Sequence, residues 1–168
     1  GSFATGVTVV TCRQSDGTPR GFTANSFSSV SLEPPLLLIC IAKSANSCAA
    51  FCEATHFAIN VLAEDQRSVS GLFASQAVDK FDQVKWRAGA EDVPLIEGAL
   101  AQFVCARDQL IEAGDHWVLI GRVVAHHSQA GAPLGYYRGQ YFTLGLEDAL
   151  VHAVAEGGQT TVGALVEQ

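Results

Sequence analysis

The first half of the chain alternates short apolar runs with turn chemistry, the pattern of consecutive strands. Val7, Thr8, Val9, Val10 and Thr11 form a β-branched run, and Ser15-Asp16-Gly17-Thr18-Pro19 is a turn leading to a second run over residues 21–26. β-Branched residues pack well on a pleated surface, and Asp-Gly followed by Pro punctuates the chain, so a β-hairpin is predicted. Glu33-Pro34-Pro35 then interrupts, and the unbroken apolar run 36–41 reads as a fully buried strand. Residues 48–54 have helical composition, with Ser44 or Ser47 placed to cap them, and 57–62 reads as another strand.

Val69, Leu72 and Phe73 fall at helical spacing and predict a helix over 64–77. Residues 75–94 are polar and irregular, with Phe81 and Trp86 as anchors; a connection this long inside a compact domain is often functional. Residues 99–106 and 117–125 read as two strands joined through 112–116, and 134–142 as an aromatic strand with a glycine break. Five or six strands with hairpin-length connections and two or three short helices predict an antiparallel barrel with flanking helices. The alternation is too irregular for a doubly wound sheet. No Gly-x-Gly-x-x-Gly follows a strand, so the dinucleotide-binding fingerprint is absent. There is no internal repeat and no low-complexity segment.

Composition narrows the partners. The 168 residues are 48% hydrophobic and 16% charged, the make-up of one globular domain. Ten Lys plus Arg against seventeen Asp plus Glu give a net charge of −7. Nucleic acid and anionic membrane surfaces require clustered positive charge, so neither is an expected partner. An anionic small molecule needs only a local set of donors. The longest apolar run stops at Lys43, well short of the ~18–20 residues of a membrane span. There is no methionine, and Gly1-Ser2 reads as a cloning remnant, so native residues are expected ahead of Phe3. The five cysteines match no zinc spacing; they read as reduced, mostly buried thiols of a cytoplasmic protein.

Three segments carry candidate chemistry. Thr23, Ala24, Asn25 and Ser26, continuing to Ser29, offer hydroxyl, amide and backbone groups suited to a flat heteroaromatic ring; the same residues also suit an edge strand entering a loop. Lys43-Ser44-Ala45-Asn46-Ser47 stands at a strand-to-helix junction, where Ser hydroxyls, a Lys ammonium and unpaired N–H groups make a phosphate cradle. Taken alone, such a segment is more often ordinary N-capping, worth ~1 kcal/mol. Lys80-Phe81 in the long loop reads as a second cation with an apolar lid, or as a solvated lysine beside a core phenylalanine. A lone His116 opening a strand is more often structural than catalytic. His126 and His127 point to opposite faces, and neither is expected to be functional. No Ser, His and Asp arrangement for a nucleophile stands out.

Taken together, the segments Phe3-Ala4-Thr5-Gly6-Val7-Thr8-Val9-Val10-Thr11 and Gly21-Phe22-Thr23-Ala24-Asn25-Ser26-Phe27-Ser28-Ser29-Val30-Ser31-Leu32-Glu33-Pro34-Pro35 resemble the flavin reductase-like family. These are the reductase components of two-component flavin-dependent monooxygenases. Phe57-Ala58-Ile59-Asn60-Val61-Leu62, Asp79-Lys80-Phe81, Gly114-Asp115-His116 and Tyr136-Tyr137-Arg138-Gly139 follow in the family's order, and the match spans about residues 3–142. The resemblance implies a mainly β fold, an FMN-binding split β-barrel, antiparallel and Greek-key-like with a few flanking helices, occupying residues 3–145. It implies a cytoplasmic homodimer with NAD(P)H:flavin oxidoreductase activity, in which hydride passes from NADH or NADPH to FMN or FAD. The reduced flavin then goes to a partner monooxygenase.

By the same resemblance, Thr23, Ala24, Asn25 and Ser26 lie beside the isoalloxazine and ribityl groups. Cys40, Ile41, Ala42, Lys43, Ser44 and Ser47 lie beside ribityl and phosphate, and Lys80 and Phe81 are near the flavin. His116 sits by the nicotinamide, with Tyr137 and Arg138 bordering the cleft. The chemistry is consistent with the absence of a catalytic triad, because hydride transfer asks the protein mainly to orient two flat rings. One alternative is an FMN-binding electron-transfer or sensor module of the same fold without fast NAD(P)H turnover. Another, a pyridoxamine-phosphate-oxidase-like enzyme, would need more Arg and Lys at its phosphate site. Residues 146–168 depart from the family pattern. A short helix over 146–156, a Gly157-Gly158-Gln159 linker and a strand over 160–167 are expected there, as a C-terminal arm or the start of a further, Nudix-like module.

Overall fold

A computed structural model describes residues 1–145; the helix, linker and strand expected beyond them lie outside the described residues. In chain order the elements are β1 (Thr5–Gly6), β2 (Thr8–Arg13), β3 (Pro19–Ala24), β4 (Ser28–Ser31), β5 (Leu36–Ala42), α1 (Cys48–Glu53), β6 (His56–Val61), α2 (Arg67–Ala74), β7 (Trp86–Ala88), β8 (Pro94–Ile96), β9 (Ala101–Ala113), β10 (His116–Ser128), β11 (Leu134–Tyr137) and β12 (Gln140–Thr143). Every strand pair is antiparallel. The expected β-hairpin is β2–β3, pairing Thr8 with Ala24 through to Arg13 with Pro19.

Seven strands form the main sheet in the order β3-β2-β6-β9-β10-β5-β4. Its two edges, β3 and β4, are consecutive in the chain and joined by only residues 25–27. A link so short forces the sheet to curl until its edges nearly meet, since each extended residue spans at most ~3.6 Å. The result is an antiparallel barrel left open between β3 and β5. That opening is where the functional cleft lies.

The barrel interior is filled by Val10, Leu37, Ile39, Ile41, Phe57, Ile59 and Leu119, closed at one end by Phe51 of α1. β5 presents Leu37, Ile39 and Ile41 inward while Leu36, Leu38, Cys40 and Ala42 stay half-buried. The apolar run that suggested burial on both faces is thus one-sided, its outer face only half-covered. A second cluster, Val7, Val9, Leu62, Phe73, Ile96 and Leu134, joins α2 and the small sheet β1-β11-β12 to the outside of the barrel. Gly121 is required by packing: a Cβ there would come within 2.5 Å of the Phe57 ring.

Several boundaries differ from the sequence reading for identifiable reasons. β9 runs on to Ala113 because its polar stretch 107–113 pairs with β10, so hydrogen bonding extends it where hydrophobicity does not. The helix expected over 64–77 is a short turn of 3₁₀ helix, Glu64–Gln66, followed by α2, and it stops where Ser75 turns extended. The aromatic segment 134–142 is a hairpin: Arg138 and Gly139 both adopt positive φ, 48° and 79°, the signature of a tight two-residue turn. Short strands at the periphery bring the number among the described residues to twelve.

The five cysteines are free. Burial pushes the Cys12 and Cys105 thiols up to about 12, which keeps them protonated and inert. Cys48 and Cys52 lie 3.9 Å apart, and no group of three or more metal-ligating side chains occurs among the described residues. No helix there is long and apolar enough to cross a membrane.

Candidate active site

The gap between β3 and β5 opens into a cleft of about 640 Å³, within the range of small-molecule sites. Along one wall runs β3 with its extension, bringing Thr23, Ala24, Asn25 and Ser26 to the cleft as the sequence suggested. Opposite stand Cys40, Ile41 and Ala42 at the end of β5, then Ala45, Asn46 and Ser47 ahead of α1. The loop after α2 closes a third side with Lys80 and Phe81, and His116 comes in from the start of β10.

Each wall is held by specific bonds. The Thr23 hydroxyl donates to the Ser70 carbonyl of α2 at 2.6 Å, and the Ser70 hydroxyl meets that of Tyr141 on β12 at 2.7 Å. The small sheet is thereby tied through α2 to the cleft-lining strand. Ser26, in the link to β4, holds the end of β5: its hydroxyl accepts the Cys40 N–H at 2.9 Å and donates to the Cys40 carbonyl at 3.2 Å. Gly21 lets α2 approach, since a Cβ there would come within 2.8 Å of the Phe73 ring.

The long loop is anchored as its aromatic residues predicted. Phe81 packs edge-on against Phe73 and Trp86, with ring centroids 5.2 and 5.5 Å apart. Buried Asn60 receives the Ile96 N–H at 2.9 Å, and Gln102 donates to the Ile96 carbonyl at 2.6 Å, fixing the β7–β8 hairpin that follows. With its aromatic base fixed, the loop presents Lys80 toward the cleft. The ammonium donates to the Phe73 carbonyl at 3.1 Å; desolvation lowers its pKa, and the charge of Arg20 lowers it further.

His116 Nδ1 lies 2.7 Å from Asp115 Oδ1. A carboxylate only accepts, so Nδ1 carries the proton in this pair and Nε2 is the nitrogen left for a ligand. The hydrogen bond from His116 also holds the Asp115 carboxyl below its ordinary value. The Lys43 N–H to the Asp115 carbonyl, 2.9 Å, ties this turn to the end of β5.

Other sequence candidates stand elsewhere. The Lys43 ammonium pairs with Glu112 and lies 5.5 Å from the Trp117 ring centre, and neither Lys43 nor Ser44 is on the cleft wall. Ser47, by contrast, does line the cleft ahead of α1; it is buried, and its side chain makes no capping bond. Tyr137 and Arg138 also stand off the cleft wall; Arg138 lies over the Tyr137 ring, and Tyr137 lines a smaller groove with Ala4, Tyr141 and Phe142.

The sequence reading missed Arg20. Its guanidinium lies on the cleft wall, donating to Gln14 Oε1 at 3.1 Å and to the Asn46 carbonyl at 2.9 Å. Asn46 in turn donates to Gln76 Oε1 at 2.6 Å, linking this end of the cleft to the loop after α2. Placed in a turn-proximal strand, Arg20 looks like any solvated charge; only the pairing of β2 with β3 aims it here. Among the described residues the wall carries Arg20, Lys80 and His116 and no Asp or Glu. A pocket of this kind fits a flat, polar-edged ligand with an anionic end. The donors match an aromatic ring with carbonyl and N–H edges, and the cations match a phosphate.

These features define a split-barrel protein with a cation-lined cleft, and comparison with known proteins gives the family. Residues 1–145 match the flavin reductase like domain, and the chain belongs to that family. It is 49% identical over 168 residues to a probable flavin reductase of Rhizobium meliloti (strain 1021), covering all of this chain and 54% of that protein. It is 54% identical over 143 residues to the reductase component of a flavin-dependent trigonelline monooxygenase from Acinetobacter baylyi, covering 85% of this chain and 46% of that protein. The chain therefore spans about half the length of these two relatives. Among solved structures, the NADH:FAD oxidoreductase SgcE6 of Streptomyces globisporus C-1027, in complex with NAD and FAD fragments, superposes with a TM-score of 0.82 at 41% identity. That match covers 87% of this chain and 88% of the other.

Proposed function

We propose that the chain is an NAD(P)H:flavin oxidoreductase that reduces FMN or FAD and delivers the reduced flavin to a partner monooxygenase. The observation that carries this reading is the cleft itself, with two cations, a histidine and, among the described residues, no carboxylate on its wall. Relatives named for FMN reductase (NADH), NADH-dependent FAD reductase and monooxygenase reductase components support the chemistry. They favour turnover over a static electron-transfer or sensor role.

A bound flavin supplies the hydride acceptor. The chain's own residues do the rest by position. Thr23, Ala24, Asn25 and Ser26 with Cys40, Ile41 and Ala42 line the two long walls that would hold the ring. Lys80 with Phe81 covers it, and Arg20 and Lys80 meet the anionic end. His116, oriented by Asp115, offers Nε2 to the nicotinamide donor. Ser47, on the wall ahead of α1, remains a candidate near the phosphate, whereas Lys43 and Ser44 stand off the wall and the Lys43 N–H is held by the Asp115 carbonyl.

We further propose a homodimer, in which Tyr137 and Arg138, off the wall of their own cleft, border the nicotinamide of the assembled site. Exposed Val30 and Leu32 along the β4 edge, and Phe3 and Phe142 by the small sheet, support association. Five free cysteines accord with a reducing cytoplasmic setting. Residues 3–145 are proposed as the flavin domain. Size-exclusion chromatography with light scattering tests the dimer; catalytic loss of NADH that requires added flavin tests the activity.

A further inference from the structure

Arg20 is the cation no motif singles out, and its setting is the most informative on the cleft wall. Both of its hydrogen-bond partners, the Gln14 side-chain oxygen and the Asn46 carbonyl, are neutral. They orient the guanidinium without neutralising it. Two of its five N–H donors are committed, leaving three for a ligand. Lys80, from the loop after α2, likewise donates to a neutral group, the Phe73 carbonyl. Lys43 contrasts with both: Glu112 already holds it, away from the wall. A pair of cations held by neutral acceptors, on a wall that carries no carboxylate among the described residues, gains most from a ligand that brings its own negative charge.

We propose that Arg20 is a specificity-determining residue that, with Lys80, seats the ligand's phosphate, so that the cleft selects phosphorylated isoalloxazines over unphosphorylated riboflavin. This rests on the flavin reading of the cleft. It adds a basis for choosing among flavins, one that belongs to this chain's own β3 residue.

The test is titration of the full chain with FMN and with riboflavin, followed by flavin fluorescence, for the native protein, R20Q and R20K. A charge-assisted hydrogen bond is worth about tenfold to a hundredfold in affinity. The native protein is expected to bind FMN at least about tenfold more tightly than riboflavin. R20Q is expected to lower that ratio by about tenfold and R20K by less, because the lysine keeps the charge without the fork. Equal binding of the two flavins by the native protein, or an R20Q ratio equal to the native one, overturns the proposal. R20Q raising only the KM for NADH would assign Arg20 to the donor and also overturn it. A chain that binds neither flavin and oxidises no NADH with either overturns the flavin reading itself, whereas one that reduces both equally well overturns the role of Arg20 alone.

Discussion

The Ser26 hydroxyl prolongs the β4–β5 pairing at the mouth of the cleft by satisfying both backbone groups of Cys40, its N–H at 2.9 Å and its carbonyl at 3.2 Å. Ser26 stands opposite Cys40 in the register that pairs Ser28 with Leu38, just beyond the end of the β4–β5 ladder, so one side chain replaces a rung where that ladder stops. The bond sets the width of the cleft where the ring is proposed to lie. Ser26→Ala leaves two partly buried backbone groups without that partner and is expected to cost about 1–2 kcal/mol in unfolding free energy. The same variant should weaken flavin binding. Urea denaturation and a flavin titration check the two effects; a variant as stable as the native protein would show that the bond is immaterial.

Gly21 tests the other side of the cleft. Its missing Cβ leaves room for the Phe73 ring, and an added methyl would stand 2.8 Å from that ring and 3.1 Å from the Val10 carbonyl. Gly21→Ala should force β3 and α2 apart at about 1–3 kcal/mol, with reduced flavin affinity. Thermal unfolding with and without FMN measures both.

The His116 pair is expected to act on the hydride donor more than on the flavin. His116→Ala should raise KM for the nicotinamide by about tenfold, the worth of one hydrogen bond and its contacts, with a smaller change in flavin affinity. Asp115→Asn removes the carboxylate that keeps the proton on Nδ1 and should produce a smaller rise in the same constant. Steady-state kinetics with FMN held in excess read this directly, and unchanged kinetics in His116→Ala would remove the residue from the site.

Lys80 gives the site a pH signature. Its pKa is lowered by burial first and by Arg20 second, so its charge is lost at a lower pH than that of an ordinary lysine, about 10.4. The FMN-to-riboflavin affinity ratio should therefore fall as pH rises through the alkaline range below that value. The sign for stability is opposite: a lowered lysine pKa disfavours the folded state while the group is charged, and that cost is relieved as pH rises through the folded pKa. Lys80→Met should lower the FMN affinity and flatten the alkaline fall. Fluorescence titrations at a series of pH values check it.

The local patterns of the chain announced most of the fold. The β-branched run at Val7 to Thr11 with its Asp16-Gly17 turn gave the first hairpin, and Phe81 and Trp86 anchor the long loop as their size suggests. What periodicity could not show was curvature. Nothing in residues 25–27 says that the strands on either side become opposite edges of one sheet; that follows from long-range pairing. The candidate site divides in the same way. Thr23 to Ser26, Lys80, Phe81 and His116 reach the cleft because motif and geometry coincide. Lys43 does not, because Glu112, distant in sequence, faces it across β10 and captures the ammonium. Arg20 was hidden for the converse reason: its value comes from neutral partners, the Gln14 side chain and the Asn46 carbonyl, which only folding brings to it.

The most direct test of the central claim is to mix the purified chain with NADH and follow nicotinamide absorbance before and after adding FMN in excess, repeating with NADPH and FAD. The expected result is slow or no loss of the reduced nicotinamide without free flavin and many turnovers once it is added, with His116→Ala slower at limiting NADH. No flavin-dependent turnover with either nicotinamide, from protein that is folded and binds FMN, would contradict it.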